Sequence, residues 1–271
     1  MNERQPLPTS PDELPATERA TLDALDALLQ AAPLPPLSDS ERTVLSAHLR
    51  LLDAWNPFIN LTRIESASER ASRHLLDALV AVPLIDQLAP DGGAFADLGS
   101  GGGFPGIPLA ARLLHARPRA TFDLIEATGK KARFLEAVTA ASGLAPRLRV
   151  VQARAEELVS TSPTRYDVIV ARAVAPLAEL TRLARPLLAA GGHLVAWKRE
   201  GDGWGEELAT ATSLVGPDAI RVHRVSQHGL DRALLVLVSG RGTAAGIESE
   251  LSAAKRGIGH SEPLTGLTAG P

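Results

Sequence analysis

The chain of 271 residues contains no cysteine and a single methionine. Without cysteine there are no disulfides, no thiolate metal sites and no thiol nucleophile, and the expected compartment is the cytoplasm. Aromatics make up 3% of the chain, so Ala, Leu, Val and Ile must fill the core. No apolar run approaches the roughly 20 residues needed to cross a bilayer, and no membrane role is expected. The first 15 residues, MNERQPLPTSPDELP, have neither a cationic start nor an apolar centre, so no signal peptide is expected there. No Ser-His arrangement or metal-ligand cluster stands out, and no metal is expected.

What is present reads as an ordinary globular composition, 45% hydrophobic and 22% charged, long enough for one large α/β domain and an extension. The net charge of −3 is unevenly spread. Residues 1–40 hold two basic and seven acidic side chains, leaving 26 basic and 24 acidic ones in the remainder. The body is thus mildly basic, which permits RNA binding without arguing for it.

Residues 1–15 are Pro-rich and polar and are expected to be disordered. A short helix is predicted over 22–32. A second runs from a Ser38 or Ser40 cap to about Trp55, where Asn56-Pro57 should end it. A third is expected over 66–88. Beyond 93 short apolar runs alternate with helical segments, the pattern of a parallel sheet. Strands are predicted at 94–98, 121–125, 148–152, 166–171, 192–198, 219–226 and 233–239, and helices at 105–115, 129–142, 176–189 and 204–215. Nothing helical separates the last two strands, which should pair antiparallel. The expected organisation is an acidic extension (1–37) that is disordered or a short helix, a helical subdomain (38–90), a Rossmann-like domain (91–240) and a flexible tail (241–271).

The chemistry concentrates in FADLGSGGGFPGIPL, residues 95–109. An apolar strand ends in Asp97, and Gly99, Gly101, Gly102, Gly103 and Gly106 follow before an Ala/Leu-rich helix. Glycines allow positive φ and close ligand approach, and prolines at the helix start sacrifice no helical hydrogen bond. The match Gly101-x-Gly103-x-x-Gly106 alone is compatible with a dinucleotide. Asp97, two residues before the first glycine, and the seven-strand layout point instead to S-adenosylmethionine and a class I methyltransferase fold. Glu126, at the end of the second strand, can accept both ribose hydroxyls; a solvent-facing charge is the competing reading. Lys130, Lys131 and Arg133 either form a solvated face or meet phosphates. Ala155 and Glu156 sit where an adenine edge would be read. Arg172 ends the fourth strand at the active rim and Lys198 ends the fifth, the latter also readable as a plain surface lysine. His74 and Asp77, three apart on one helix face, read as a structural hydrogen bond before acid-base machinery.

Together WNPFINLT, RHLLDAL, DLGSGGGFPGIPLA, EATGKKARFL, ARAEEL, ARAVAPL, GGHLVAWK and LDRALLVLV, spanning 55–239, resemble one family, RsmG (also called GidB). These are bacterial 16S ribosomal RNA guanine-N7 methyltransferases that use S-adenosylmethionine. The resemblance implies cofactor contacts at Gly99, Phe104, Glu126, Ala127, Thr128, Ala155 and Glu156, with Arg172 near the methyl-transfer site, and the loop reading adds Asp97 and Gly101 to the expected cofactor set. His74, Asp77, Lys198 and Arg232 match other recurrent family positions, and the catalytic residues expected are Arg172, Lys198 and His74. The chain departs from the family where Lys198 is followed by Arg199 and Arg232 by Ala233, and Lys255–Leu264 is only a faint version of the basic tail. A monomer acting on 16S ribosomal RNA of the small subunit is expected. Guanine N7 carries a free lone pair, so methyl transfer requires positioning rather than a general base. The rivals are an NAD-dependent dehydrogenase, a non-catalytic ribosome-assembly factor and a small-molecule methyltransferase.

Overall fold

The computed structural model describes residues 7–89, 92–227, 230–239 and 261–262, without the side chains of 226–235, 239 and 261–262. The expected tail falls outside these residues except for Ser261 and Glu262.

A twisted sheet carries the molecule. Strands β1 (Ala94–Leu98), β2 (Thr121–Ile125), β3 (Leu148–Val151), β4 (Tyr166–Arg172) and β5 (Leu188–Arg199) run parallel. β6 (Ile220–Gln227) and β7 (Leu230–Ser239) follow, and β7 slots antiparallel between β5 and β6. The order is β3-β2-β1-β4-β5-β7-β6-β8. The expected seven strands are joined by an eighth, the two-residue β8 (Ser261–Glu262), on the edge of β6.

Period-two alternation divides the core between the two faces of the sheet. Phe95, Phe122, Leu124, Val168, Val170, Val195 and Trp197 face one side. Ala96, Leu98, Ile125, Ile169, Ala171, Leu194 and Ala196 face the other. On the first side lie α1 (Arg19–Gln30), α2 (Asp39–Ile59), α5 (Val82–Leu88), α6 (Gly106–Ala116) and α7 (Gly129–Ala141), with a helical run over 67–79. That run comprises α3 (Ala67–Arg70), a π-helical segment (Ala71–Leu76) and α4 (Asp77–Leu79). The second face is covered by α8 (Ala155–Thr161), α9 (Leu177–Ala184) and α10 (Trp204–Val215). The helices before β1 share one apolar core with the sheet, so the boundary expected near residue 90 divides no cores.

Three local expectations give way. The helix through 55 does not stop at Asn56-Pro57. Pro57 lies inside α2, and Asn60 ends it in the left-handed region at φ 52°. The Asn56 amide then takes over the turn. Its Oδ1 accepts from Leu61 N and Thr62 N, both at 2.8 Å, and its Nδ2 donates to Thr62 O at 3.0 Å. The predicted helix over 66–88 is broken at Val80–Ala81, because Pro83 lacks the N–H that would continue the ladder to Leu79. The described part of the first 15 residues is not loose either: Trp55 Nε1 donates to Pro8 O at 2.7 Å. Beyond it, Arg50 grips Glu18 and Arg42 grips Asp26.

α2 begins in a capping box. Ser38 Oγ accepts from Glu41 N at 3.3 Å, and Glu41 returns a carboxylate to Ser38 N at 2.7 Å. The same Glu41 pairs with Arg112 of α6, so the cap also fastens α2 to the helix that follows the glycine loop. Ser38→Ala should lower stability by about 1 kcal/mol, and Glu41→Ala by more, because Arg112 also loses its partner. Paired denaturant titrations give both values; equal losses would show that the Arg112 contact contributes nothing.

Candidate active site

The glycine loop follows β1 at its carboxyl end, where ligands bind in open α/β sheets. Gly99, Gly101 and Gly103 have φ of 74°, 53° and 85°, a region closed to most side chains. Space is short as well. A Cβ on Gly99 would stand 2.8 Å from Val174 Cγ2, and one on Gly106 would stand 2.5 Å from Asp97 Oδ2.

Sheet residues fix the first half of the loop. Gly99 N and Ser100 N donate to Ile125 O. Glu126 Oε2 accepts from Gly101 N at 2.9 Å, and its Oε1 accepts from Thr128 N at 2.7 Å. Each carboxylate oxygen keeps a second lone pair for another donor, such as a ribose hydroxyl. Asp97 lies beneath, 1% exposed. Its Oδ2 accepts from Gly106 N at 3.1 Å, while Oδ1 is buried without a partner among the described residues. Burial pushes this carboxyl up to about 7. Ala127 and Thr128 are exposed beside Glu126, and Thr128 caps α7. Ala155 is buried at the start of α8, and Glu156 is exposed in its first turn, near the positive end of the helix.

Arg172 closes the other side. Its Nη1 donates to Asp77 Oδ2 and to Arg73 O, both at 2.7 Å, and its Nη2 reaches His74 Nδ1 at 3.2 Å. The π turn presents the Arg73 carbonyl, His74 and Asp77 to a single guanidinium. Two of the five guanidinium N–H groups, on Nε and Nη2, keep no partner among the described residues. Because a guanidinium only donates, His74 Nδ1 must accept, and Nε2–H therefore donates to Thr62 Oγ1 at 2.8 Å. Burial, with Arg172 alongside, pushes His74 down to about 3. The imidazole is neutral and both nitrogens are committed, which suits an orienting group and not a proton acceptor. Asp77 is raised above the ordinary carboxylate range because burial outweighs the pull of Arg172. Trp197 Nε1 donates to Asp77 O at 2.8 Å and ties β5 to the same cluster. Ala173, the next residue after Arg172, is held at φ 57°, a strained conformation for alanine.

Phe104 is buried against this network. The His74 ring stacks on it at 4.2 Å and 11°, the Arg172 guanidinium lies 5.8 Å from its centre, and the His48 ring approaches at 4.6 Å. Lys198 lies on the rim as expected, but its ammonium is engaged by Glu207 Oε1 at 2.6 Å and Ala175 O at 2.8 Å. Glu207 Oε1 also accepts from Leu177 N at 2.6 Å. The pair therefore braces the 173–177 loop, which carries Val174 over Gly99. Arg232 falls on β7, where its side chain is outside the described residues. Lys130 and Arg133 are exposed on α7, and Lys131 is half-buried there.

Sequence reasoning missed His48, Thr62, Glu207 and the Arg73 carbonyl. For His48 one signal was available: it interrupts the apolar stripe of Val44, Leu45, Leu49 and Leu52 that defines the buried face of α2. Nothing local marks the others, because each acts through a partner on another element.

Comparison with known proteins agrees with this geometry. A family model described as GidB, rRNA small subunit methyltransferase G, matches residues 41–234. A protein from Stenotrophomonas maltophilia (strain K279a), named Ribosomal RNA small subunit methyltransferase G, is 41% identical over 187 residues, 68% of this chain and 79% of that protein. One of the same name from Ectopseudomonas mendocina (strain ymp) is 39% identical over 201 residues, 74% of this chain and 88% of that protein. A solved structure from Klebsiella pneumoniae, described as a candidate O-methyltransferase, is similar with a TM-score of 0.51 and 13% identity, covering 80% of this chain and 96% of that one. That likeness speaks for the class I methyltransferase fold alone. The family match runs from the first turn of α2 into β7 and takes in the glycine loop, Glu126, Arg172 and Lys198, and the chain belongs to the GidB family of rRNA small subunit methyltransferases.

Proposed function

We propose that this protein transfers the methyl group of S-adenosylmethionine to N7 of a guanine in 16S ribosomal RNA of the small subunit, acting as a cytoplasmic monomer. The observation that carries the reading is the glycine loop. Three left-handed glycines are held at the end of β1 by Glu126, with Arg172 a short distance across the rim.

The residues fit this cofactor. Glu126 has acceptor capacity for two ribose hydroxyls. Asp97, with a buried oxygen that lacks a donor, supplies negative charge for a cationic methionyl group. Ala155 and Glu156 line the rim where the adenine is expected. When bound, S-adenosylmethionine supplies an electrophilic methyl group on a sulfonium.

No general base is needed, because guanine N7 is unprotonated at neutral pH. His74 matches this, being neutral with both nitrogens engaged. The two unpartnered N–H groups of Arg172 suit guanine O6 or a flanking phosphate. A cation placed on N7 itself would compete for the lone pair, so the role assigned to Arg172 is orientation. Lys198 acts indirectly, by holding the 173–177 loop. The target guanine must be unstacked, because the deep major groove of helical RNA hides N7.

Incubation with S-adenosylmethionine and small-subunit RNA should yield one N7-methylguanosine. Arg172→Ala should remove at least about 99% of turnover and also cost about 2 kcal/mol of stability by stranding Asp77. The double variant Arg172→Ala/Asp77→Ala should regain the stability but not the turnover. Methylation elsewhere than N7, or a double variant as active as wild type, would refute this assignment.

Gly99→Val should abolish cofactor binding, since the new side chain meets Val174 and φ 74° excludes a β-branched residue. Calorimetry with S-adenosylhomocysteine reads this directly, and an unchanged affinity would remove the loop from the cofactor site.

Binding should also depend on pH. With the Asp97 carboxyl near 7 in the free protein, part of the population is neutral at neutral pH. A cationic ligand favours the ionised form, so binding releases a proton and tightens as pH rises through about 7. Titrations of S-adenosylmethionine at several pH values should show this slope in wild type and its loss in Asp97→Asn.

A further inference from the structure

The loop that the proposed function assigns to the cofactor is held from two directions, and only one of them is the sheet. Glu126 and Asp97 secure Gly101 and Gly106 from below. The second half, Gly102 to Phe104, is gripped by the helices that precede β1. His48 of α2, 0% exposed, stands 2.8 Å from Gly102 O through its Nε2. A carbonyl can only accept, so Nε2 carries the proton, and Nδ1 is left as a buried acceptor with no partner among the described residues. The fit against the backbone leaves no slack: a Cβ on Gly103 would stand 2.8 Å from this same Nε2, and one on Gly102 would stand 3.1 Å from Leu61 O. The His48 ring also lies 4.6 Å from Phe104, on which the His74 ring stacks at 4.2 Å. Two imidazoles from two different helical segments thus both contact the one aromatic of the loop.

We propose that His48 is a positioning residue for cofactor binding, which orients the Gly102–Gly103 peptide through its Nε2–H and sets Phe104 through its ring. With the Gly102 carbonyl turned toward α2, the N–H of the same peptide plane, on Gly103, turns away and donates to Ser100 O at 2.7 Å. That bond closes the turn in which Gly101 offers its N–H to Glu126. The helical layer therefore sets the loop geometry without touching a ligand. A purely apolar residue at 48 would fill the space but strand the Gly102 carbonyl in a buried place. A charged residue would lack the water that such burial removes. A neutral ring donor meets both demands, and burial keeps His48 neutral by pushing it down to about 4.

This inference rests on the cofactor reading given above, and the experiment separates the two. S-adenosylhomocysteine is titrated calorimetrically into wild type, His48→Phe and His48→Gln, with a thermal melt of each. His48→Phe keeps a ring against Phe104 but cannot donate. Its affinity should fall at least about tenfold, equivalent to about 1.4 kcal/mol. His48→Gln keeps a neutral N–H donor of similar reach and should recover most of that loss. If wild type does not bind, the cofactor reading fails. If wild type and His48→Phe bind alike, or if Gln fares no better than Phe, the positioning role fails. Should His48→Phe not fold, nitrogen-15 histidine NMR of the native protein decides: an Nε2–H tautomer at His48 whose signal moves with S-adenosylhomocysteine supports the role, and an Nδ1–H tautomer or an unmoved signal overturns it.

Discussion

The active rim is organised by a group that can only donate. Arg172 arrives at the end of β4, and its guanidinium finds a carboxylate, a carbonyl and an imidazole nitrogen within one turn of the helical run over 67–79. Everything nearby takes its state from that constraint. His74 must turn its lone pair toward Arg172, which fixes its tautomer and sends its proton to Thr62. Asp77 holds a partner in a place where burial raises its carboxyl above the ordinary value. Phe104 packs against both His74 and His48. The helices before β1 are thereby locked to the carboxyl ends of β4 and β5, where chemistry in this fold takes place.

The sheet was legible in the sequence because its signals are short-range. Alternation along 94–98, 121–125 and 166–171 reports two buried faces, and a strand need only satisfy its own two sides to be recognised. The glycine loop was legible for a similar reason, since positive φ and crowding leave little choice of residue. The helical layer was read less well. Pro57 looks like a terminator, yet α2 runs on through it to Ile59, and the Asn56 side chain shapes the turn five and six residues further on. Pro83 does interrupt its helix, and nothing in the local pattern distinguishes the two cases.

The site shows the same division. Asp97, Gly99, Glu126 and Arg172 stand at strand ends, where position along the chain predicts position in space. His48 and Glu207 lie on helices at distant sequence positions, and their relevance depends on which loop the tertiary fold brings against them. Lys198 illustrates both halves. Its place on the rim follows from the strand, while its engagement with Glu207 does not.

β7 carries a consequence for the unfinished chain. Among the described residues it is the last long strand in sequence, yet an interior one in the sheet, and β6 reaches β5 only through it. A polypeptide that ends before Leu230 would leave β6 without its partner and β5 with an open edge rich in unpaired amide groups. Such an edge is a template for association with another chain. The final segment thus works as a keystone, and fragments that stop short of it should be prone to aggregation even though every element surrounding the glycine loop is already present.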